Sequence, residues 1–193
     1  MNAGARKTSP EPLFPRTTPA EHLVVIDMQR VFADADSPWA MPDFGAILPT
    51  VAGLAKTYGD AVTFTRFVAP EQPTGAWRDY YAEWPFALQP PDAPLWDVVP
   101  ELGATGPTVT APTFSKWGPA LAERVGDATM VLCGVSTDCC LLSTAVAAAD
   151  AGVAVRVVAD ASAGVSAESH RATLDVLALY GPLVRVVSSA ELS

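Results

Sequence analysis

Six short apolar runs, separated by segments of helical character, constrain the fold of this chain more than any other feature. All six contain β-branched residues, and the first is continuous, as is typical of strands covered on both faces. They lie at 22–26, 61–68, 108–111, 129–133, 153–158 and 183–187. Strands that alternate with helices imply right-handed crossovers. We therefore predict an α/β fold with three α-β-α layers and a mostly parallel, Rossmann-like sheet of about six strands.

The size of the chain fits a single domain. Its 193 residues are 50% hydrophobic and can bury one core. We predict one domain over 21–193, preceded at 1–20 by an extended or disordered arm in which prolines stand among polar residues.

Net charge and cysteine content restrict the kinds of binding partner and the cellular compartment that we expect for this protein. A net charge of -9 argues against a surface for nucleic acid or an anionic membrane and favours a small-molecule substrate or a protein partner. Three cysteines without paired spacing indicate free thiols in a reducing compartment. With neither a signal peptide nor an apolar run of membrane-spanning length, we expect a cytoplasmic protein.

Two of the three cysteines follow an apolar strand directly. After the strand and a turn at Gly134, a small-residue helix begins with Cys139 and Cys140 in its first turn. A helix start stabilises a thiolate, so we expect a lowered cysteine pKa, and its N–H groups can hold an oxyanion. The alternative is that the cysteines are small buried hydrophobic residues.

Three chemically useful side chains each follow a predicted strand. Asp27 follows the first, Lys116 the third and Cys140 the fourth. Because ligands bind beyond the carboxyl ends of parallel strands, we expect acid, base and nucleophile to meet at one edge. Lys116 lies between Phe114 and Trp117, where its ammonium group would be partly desolvated. The alternatives are a turn-capping aspartate and a surface lysine.

The segment 69–107 is rich in proline and aromatic residues. Loops of this length in a compact domain are usually functional or disordered, and this one has too many aromatic side chains for disorder. We predict either a lid over the site or an oligomer contact. Candidate substrate-binding residues are Phe32, Arg66, Trp77 and Trp84. Arg66 is suited to a substrate carboxylate, although a surface salt bridge is the commoner role for a single arginine, and the alternative for Phe32 is loop packing.

Metal ligands are scarce. His22 and His170 are the only histidines, and His170 lies among polar residues early in a predicted helix, which indicates a structural role. We expect no metal and no other cofactor.

Four motifs together resemble the isochorismatase-like cysteine hydrolases, which include nicotinamidases, N-carbamoylsarcosine amidohydrolase and ureidoacrylate amidohydrolase. The resemblance covers roughly 22–188. The matching segments are Leu-Val-Val-Ile-Asp-Met-Gln at 23–29, the lysine region at 109–121, Gly-Val-Ser-Thr-Asp-Cys-Cys at 134–140 and Val-Val-Ala-Asp at 157–160.

The resemblance implies roles for individual residues. Asp27 would be the general base and acid, Lys116 the supporting cation and Cys140 the nucleophile. A cis peptide would join Val135 to Ser136, and the N–H groups of Ser136 and Cys140 would form the oxyanion hole. The implied reaction is hydrolysis of an amide, ureido or carbamoyl C–N bond in a small molecule through a thioester, by a homodimer or homotetramer.

Two departures from the family pattern stand out. The family's lysine usually ends the third strand, where this chain has Ala111, so Lys116 would be either a displaced substitute or no catalyst at all. The nicotinamidase metal cluster has no counterpart after Arg66, which argues against nicotinamide as substrate. Alternative functions are isochorismatase-type vinyl ether hydrolysis, or a catalytically silent protein that binds partners or responds to redox conditions through Cys139 and Cys140.

Overall fold

The predicted α/β architecture is confirmed. The computed structural model describes residues 20–104 and 106–192, so the predicted N-terminal arm lies outside the described residues except for Ala20. Six strands form one sheet in the order β3-β2-β1-β4-β5-β6, and every pairing is parallel. The strands are β1 Glu21–Ile26, β2 Val62–Phe67, β3 Thr108–Ala111, β4 Thr129–Val135, β5 Val155–Ala163 and β6 Val184–Val187.

Helices connect the strands and cover both faces of the sheet. They are α1 Arg30–Ala33, α2 Phe44–Tyr58, α3 Trp77–Glu83, α4 Pro119–Val125, α5 Leu142–Asp150 and α6 Ala167–Ala178. The β1 side chains divide between two cores: Leu23 and Val25 pack with the α2 side, whereas Val24 and Ile26 pack with α4, α5 and α6. None of the helices in the described part of the chain is long and apolar enough to cross a bilayer.

The strand order reverses between β1 and β4, at the centre of the sheet. In open α/β sheets the ligand crevice lies outside the carboxyl ends of the strands at such a reversal. The register pairs Ile26 with Gly134, so the residues that follow these two strands emerge side by side. The fold therefore brings the segment after Ile26 next to the segment after Gly134.

Gly134 allows the two central strands to approach closely at this point. Its φ is 110°, and a Cβ added there would lie 2.2 Å from the carbonyl oxygen of Ile26. No side chain fits in that space, because real Cβ atoms do not approach a backbone oxygen so closely. Position 134 therefore requires glycine, because β4 passes there against the peptide bond that joins Ile26 to Asp27.

The aromatic segment 69–107 is folded, Thr105 lying outside the described residues. It contains α3 and three short 3₁₀ turns, at Pro85–Ala87, Pro94–Trp96 and Pro100–Leu102. Tyr81 and Trp96 are fully buried in the same core as α2. Its aromatic residues thus provide hydrophobic burial, as well as surface near the carboxyl edge of the sheet.

Strand β5 differs from its predicted extent. It continues to Ala163, so that Asp160 lies within the strand and not after it. The pairing of β4 with β5 is irregular at this point. Leu132 pairs with Val157, whereas Gly134, two residues later, pairs with Ser162. Asp160 is exposed and its carboxylate accepts hydrogen bonds from the N–H and hydroxyl of Ser189, at 2.7 and 2.6 Å.

Candidate active site

Asp27 leaves β1 in an unusual backbone conformation that is fixed by a neighbouring threonine. Its φ is 46°, a left-handed value that aspartate tolerates better than most residues. Its N–H donates to Thr65 Oγ1 at 3.1 Å, and the same hydroxyl donates to Asp27 Oδ1 at 2.6 Å. Both residues are completely buried. Thr65 therefore sets the orientation of the carboxylate and leaves Oδ2 for another partner.

That partner is Lys116, whose Nζ lies 2.9 Å from Asp27 Oδ2 with both side chains fully buried. Nζ also donates to the carbonyl oxygen of Thr113 at 2.7 Å and lies 4.8 Å from the centre of the Phe67 ring. The lysine comes from the loop after β3 and not from Ala111 at the end of that strand. The loop after β3 thus places the ammonium group of Lys116 against the carboxylate of Asp27.

Thr144 on α5 connects the lysine segment to the cysteine turn. Its hydroxyl accepts a hydrogen bond from the N–H of Lys116 at 2.9 Å and donates to the carbonyl oxygen of Cys140 at 2.6 Å. Thr144 is fully buried, so neither bond competes with water. One hydroxyl therefore fixes the spacing between the two backbone segments.

Cys140 lies in a turn of π-helix, Thr137–Leu141, inserted between β4 and α5. The N–H groups of Cys139 and Leu141 both donate to the carbonyl oxygen of Ser136, at 3.3 and 3.0 Å. The peptide bond between Val135 and Ser136 is cis, as the resemblance implies. Single π-helical turns are common at functional sites. This one brings Ser136, Cys139 and Cys140 to the wall of one cavity.

The expected lowering of the cysteine pKa is wrong. Burial raises the pKa of Cys140 well above its usual value, and the negative charge of Asp27 raises it further, against a smaller opposing effect of Lys116. Burial penalises the thiolate of Cys140 more than the start of a helix stabilises it, so the net effect on its pKa is a rise. Cys140 is therefore a protonated thiol beside a carboxylate that can accept its proton.

Gln29 ties the end of β1 to its surroundings and is completely buried. Its amide donates to the carbonyl oxygens of Phe67 at 3.0 Å and Trp96 at 2.7 Å, and its Oε1 accepts from the Phe67 N–H at 2.8 Å. Two of these bonds fix the backbone of Phe67, whose ring lies against the Lys116 ammonium group, and the third holds Trp96. Gln29 thus positions a wall of the site without reaching the cavity itself.

The cavity above these residues has a volume of about 440 Å³. Two predicted substrate-binding residues, Phe32 and Trp84, line it. Further walls come from residues that were not among the named substrate-binding candidates: Pro38, Trp39, Ala40, Met41, Phe67, Tyr80, Phe114 and Val165. Of these, Tyr80 belongs to the aromatic segment 69–107. Clefts of a few hundred Å³ are the usual size for small-molecule sites.

The other two candidates lie elsewhere. Arg66 lines a separate surface pocket with Arg30 and Asp97. Successive side chains of a strand point to opposite faces, so Arg66 faces away from Thr65 and Phe67, which serve the site. Trp77 packs against Phe114, with ring centres 5.2 Å apart, and so stands behind a residue that lines the cavity.

The sequence matches the family model of the isochorismatase domain over residues 21–191. The chain belongs to the isochorismatase family. A search of curated protein sequences found no match.

Solved structures of other isochorismatase-family and cysteine hydrolases share the fold. An isochorismatase family protein of Desulfovibrio vulgaris is 21% identical, with a TM-score of 0.78 over 90% of this chain and 96% of that one. A cysteine hydrolase of Pseudomonas syringae pv. phaseolicola is 21% identical, with a TM-score of 0.76 over 96% of both chains. A pyrazinamidase of Pyrococcus horikoshii, solved in complex with zinc, is 23% identical, with a TM-score of 0.71 over 88% and 99%.

The zinc of that pyrazinamidase raises the question of a metal in this isochorismatase-family chain. Within 20–104 and 106–192, no group of three or more His, Cys, Asp or Glu side chains is arranged to hold a metal ion. His170 Nδ1 lies 2.9 Å from the hydroxyl of Thr137, and the ring of His22 pairs with Thr63. The side chains of the described residues therefore do not provide a set of ligands that fits a metal ion.

Proposed function

We propose that the protein is a cysteine-dependent hydrolase that cleaves a C–N bond of an amide, ureido or carbamoyl group in a small molecule. The observation that carries this proposal is the buried pair of Lys116 Nζ and Asp27 Oδ2, 2.9 Å apart, beside the thiol of Cys140 at the wall of a cavity. Family membership and the amidase names of several structural neighbours support a hydrolase of this general kind.

In the first half of the reaction, Asp27 removes the proton of the Cys140 thiol as sulfur attacks the substrate carbonyl carbon. The raised pKa of Cys140 makes such a base necessary, because little thiolate exists at neutral pH. Asp27 then gives the proton to the departing nitrogen, the C–N bond breaks, and a thioester remains on Cys140.

In the second half, Asp27 removes a proton from water, and the resulting nucleophile attacks the thioester carbonyl. The carboxylic product leaves, and Cys140 recovers its proton. The ammonium group of Lys116, 2.9 Å from Asp27 Oδ2, compensates the negative charge as it moves from Asp27 to sulfur. General acid–base assistance of this kind contributes about 10² to 10⁴ in rate.

The N–H groups of Ser136 and Cys140 are proposed to stabilise the oxyanion of both tetrahedral intermediates. Both residues line the cavity, and Ser136 follows the cis peptide. Donors of this type typically contribute about 10² to 10³ in kcat each, because they are in place before charge develops.

The test is ammonia release from a panel of amides, ureas and N-carbamoyl compounds. The wild-type protein should hydrolyse at least one of them, and Cys140→Ala should abolish that turnover. Cys139→Ala is the matched control, since it removes a neighbouring thiol of the same cavity and should retain turnover. Undiminished hydrolysis by Cys140→Ala would reject the mechanism.

A further inference from the structure

The walls of the cavity contain no formal charge. Thirteen residues line it, and among these described residues none is Asp, Glu, Lys, Arg or His. Six are aromatic, and four more are the apolar Pro38, Ala40, Met41 and Val165. The remaining three lining residues, Ser136, Cys139 and Cys140, belong to the cysteine turn, and the other polar groups are the uncharged hydroxyl of Tyr80 and the indole N–H groups of Trp39 and Trp84.

The aromatic walls hold each other in place. Trp39 is central: its ring centre lies 6.1 Å from that of Phe32, 5.7 Å from Phe67, 6.0 Å from Tyr80 and 6.2 Å from Trp84. Two of these contacts, with Phe67 and Trp84, are edge-on, an arrangement that aromatic pairs favour. Because the walls are already packed, an apolar ligand would enter without ordering new side chains.

The two charged groups beneath the cavity compensate each other. Lys116 Nζ is bonded to Asp27 Oδ2 and to the carbonyl oxygen of Thr113, so its charge is already matched. Arg66, which the sequence suggested as a partner for a substrate carboxylate, lines a different pocket. A carboxylate placed among the aromatic walls would therefore be desolvated without a partner, which is strongly unfavourable.

Resting on the proposed hydrolase function, we propose that the substrate is an uncharged amide whose acyl part is apolar and of about the size of an aromatic ring. The acyl group would pack against Trp39, Phe32 and Tyr80, while the amide reaches Cys140. Amides whose acyl part carries a carboxylate are disfavoured, because that charge would be buried against the same aromatic side chains without a partner.

A pair of amides of similar shape tests this specificity. The first is 3-phenylpropanamide, and the second is its 4-carboxyphenyl analogue, which adds one negative charge. We expect kcat/KM for the neutral amide to exceed that for the charged one by at least about 100-fold. Equal or higher kcat/KM for the carboxylate would overturn the proposal while leaving the hydrolase function standing.

Binding measured without turnover separates the preference for a neutral amide from the hydrolase function. In Cys140→Ala, quenching of tryptophan fluorescence by 3-phenylpropanamide reports occupation of the cavity that Trp39 and Trp84 line. Binding of the neutral amide alone, combined with no hydrolysis by the wild type, would support the proposed specificity and reject the hydrolase. Failure of this variant to bind the neutral amide, or tighter binding of a 4-trimethylammonio analogue, would overturn the specificity.

A single positive charge added to the cavity wall should weaken the preference for the neutral amide over the carboxylate. Met41→Lys places an ammonium group at the half-buried wall, and we expect it to reduce the preference for the neutral amide by at least about tenfold. Leu179→Lys is the matched control, because Leu179 is 82% exposed at the end of α6 and does not line the cavity. An unchanged preference in folded Met41→Lys would count against the proposal.

Discussion

The Nζ of Lys116 lies 2.9 Å from Oδ2 of Asp27, although the lysine stands five positions beyond Ala111, the last residue of β3. The loop after the strand turns back so that a side chain from a later position reaches the carboxylate. The cation that faces Asp27 therefore comes from a loop and not from the end of the strand.

The ion pair should dominate the local stability. Lys116→Met leaves a buried carboxylate without its cation, and we expect the free energy of unfolding to fall by about 3 to 5 kcal/mol. The double variant Lys116→Met with Asp27→Asn removes both charges and should recover part of that loss. Urea unfolding of the single and double variants measures the coupling; additive losses would show that the two charges do not depend on each other.

Thr144 should matter for activity because it links the lysine segment to the cysteine turn. Thr144→Val leaves the Lys116 N–H and the Cys140 carbonyl unpaired, at an expected cost of about 2 kcal/mol in stability. We expect kcat to fall by about tenfold or more with a smaller change in KM, since the cavity walls are untouched. Thr144→Ser retains the hydroxyl and should retain kcat; equal loss in both variants would show that the hydroxyl is not the cause.

The pH dependence of thiol alkylation tests the role of Asp27. A thiol with a raised pKa is protonated at neutral pH, so its unaided alkylation rate rises about tenfold per pH unit until the pKa is reached. We expect this slope for Cys139, whose pKa is raised by burial. For Cys140, whose proton Asp27 can accept, we expect a shallow slope between pH 7 and 9.

In Asp27→Asn the base is lost, so alkylation of Cys140 should be slow at pH 7 and should rise steeply with pH. Mass spectrometry after iodoacetamide treatment measures each thiol separately. Cys133 is an internal reference, because complete burial raises its pKa to about 12 and keeps it unreactive. Equal slow labelling of Cys139 and Cys140 in the wild type would favour a catalytically silent protein.

Gly134 should be intolerant of any side chain. Gly134→Ala places a Cβ 2.2 Å from the Ile26 carbonyl oxygen, and we expect a loss of more than about 3 kcal/mol in unfolding free energy or no folded protein. Gly53→Ala is the control, since it lies inside α2 with no atom within 4 Å of the added Cβ. That substitution should stabilise the protein by about 0.5 to 1 kcal/mol, as judged by thermal unfolding.

The sequence predicted the fold and the meeting of Asp27, Lys116 and Cys140 because strand ends carry that information. Apolar runs place the strands, and parallel pairing then brings the residues after β1, β3 and β4 to one edge. The hydroxyls that orient these groups were missed. Thr65 and Thr144 stand in apolar segments, where threonine is indistinguishable from a β-branched core residue until its partners are known.

The placement of Arg66 was predictable in principle. Every second residue of β2 lies on the same face, so once Phe67 is assigned to the site, its neighbour Arg66 belongs to the other side. The contributions of Trp39 and Met41 were not predictable. They lie in the loop between α1 and α2, whose path is set by long-range aromatic packing and not by local sequence.

The most direct test of the cysteine mechanism is to trap the thioester. The 4-nitrophenyl ester of 3-phenylpropanoic acid acylates a reactive thiol quickly, so the acylated protein should accumulate and be visible by intact-protein mass spectrometry. We predict one acyl group on the wild type, located by peptide mapping at Cys140, retained in Cys139→Ala and absent in Cys140→Ala. An acyl group on Cys139, or full turnover by Cys140→Ala without any adduct, would contradict the proposed role of Cys140.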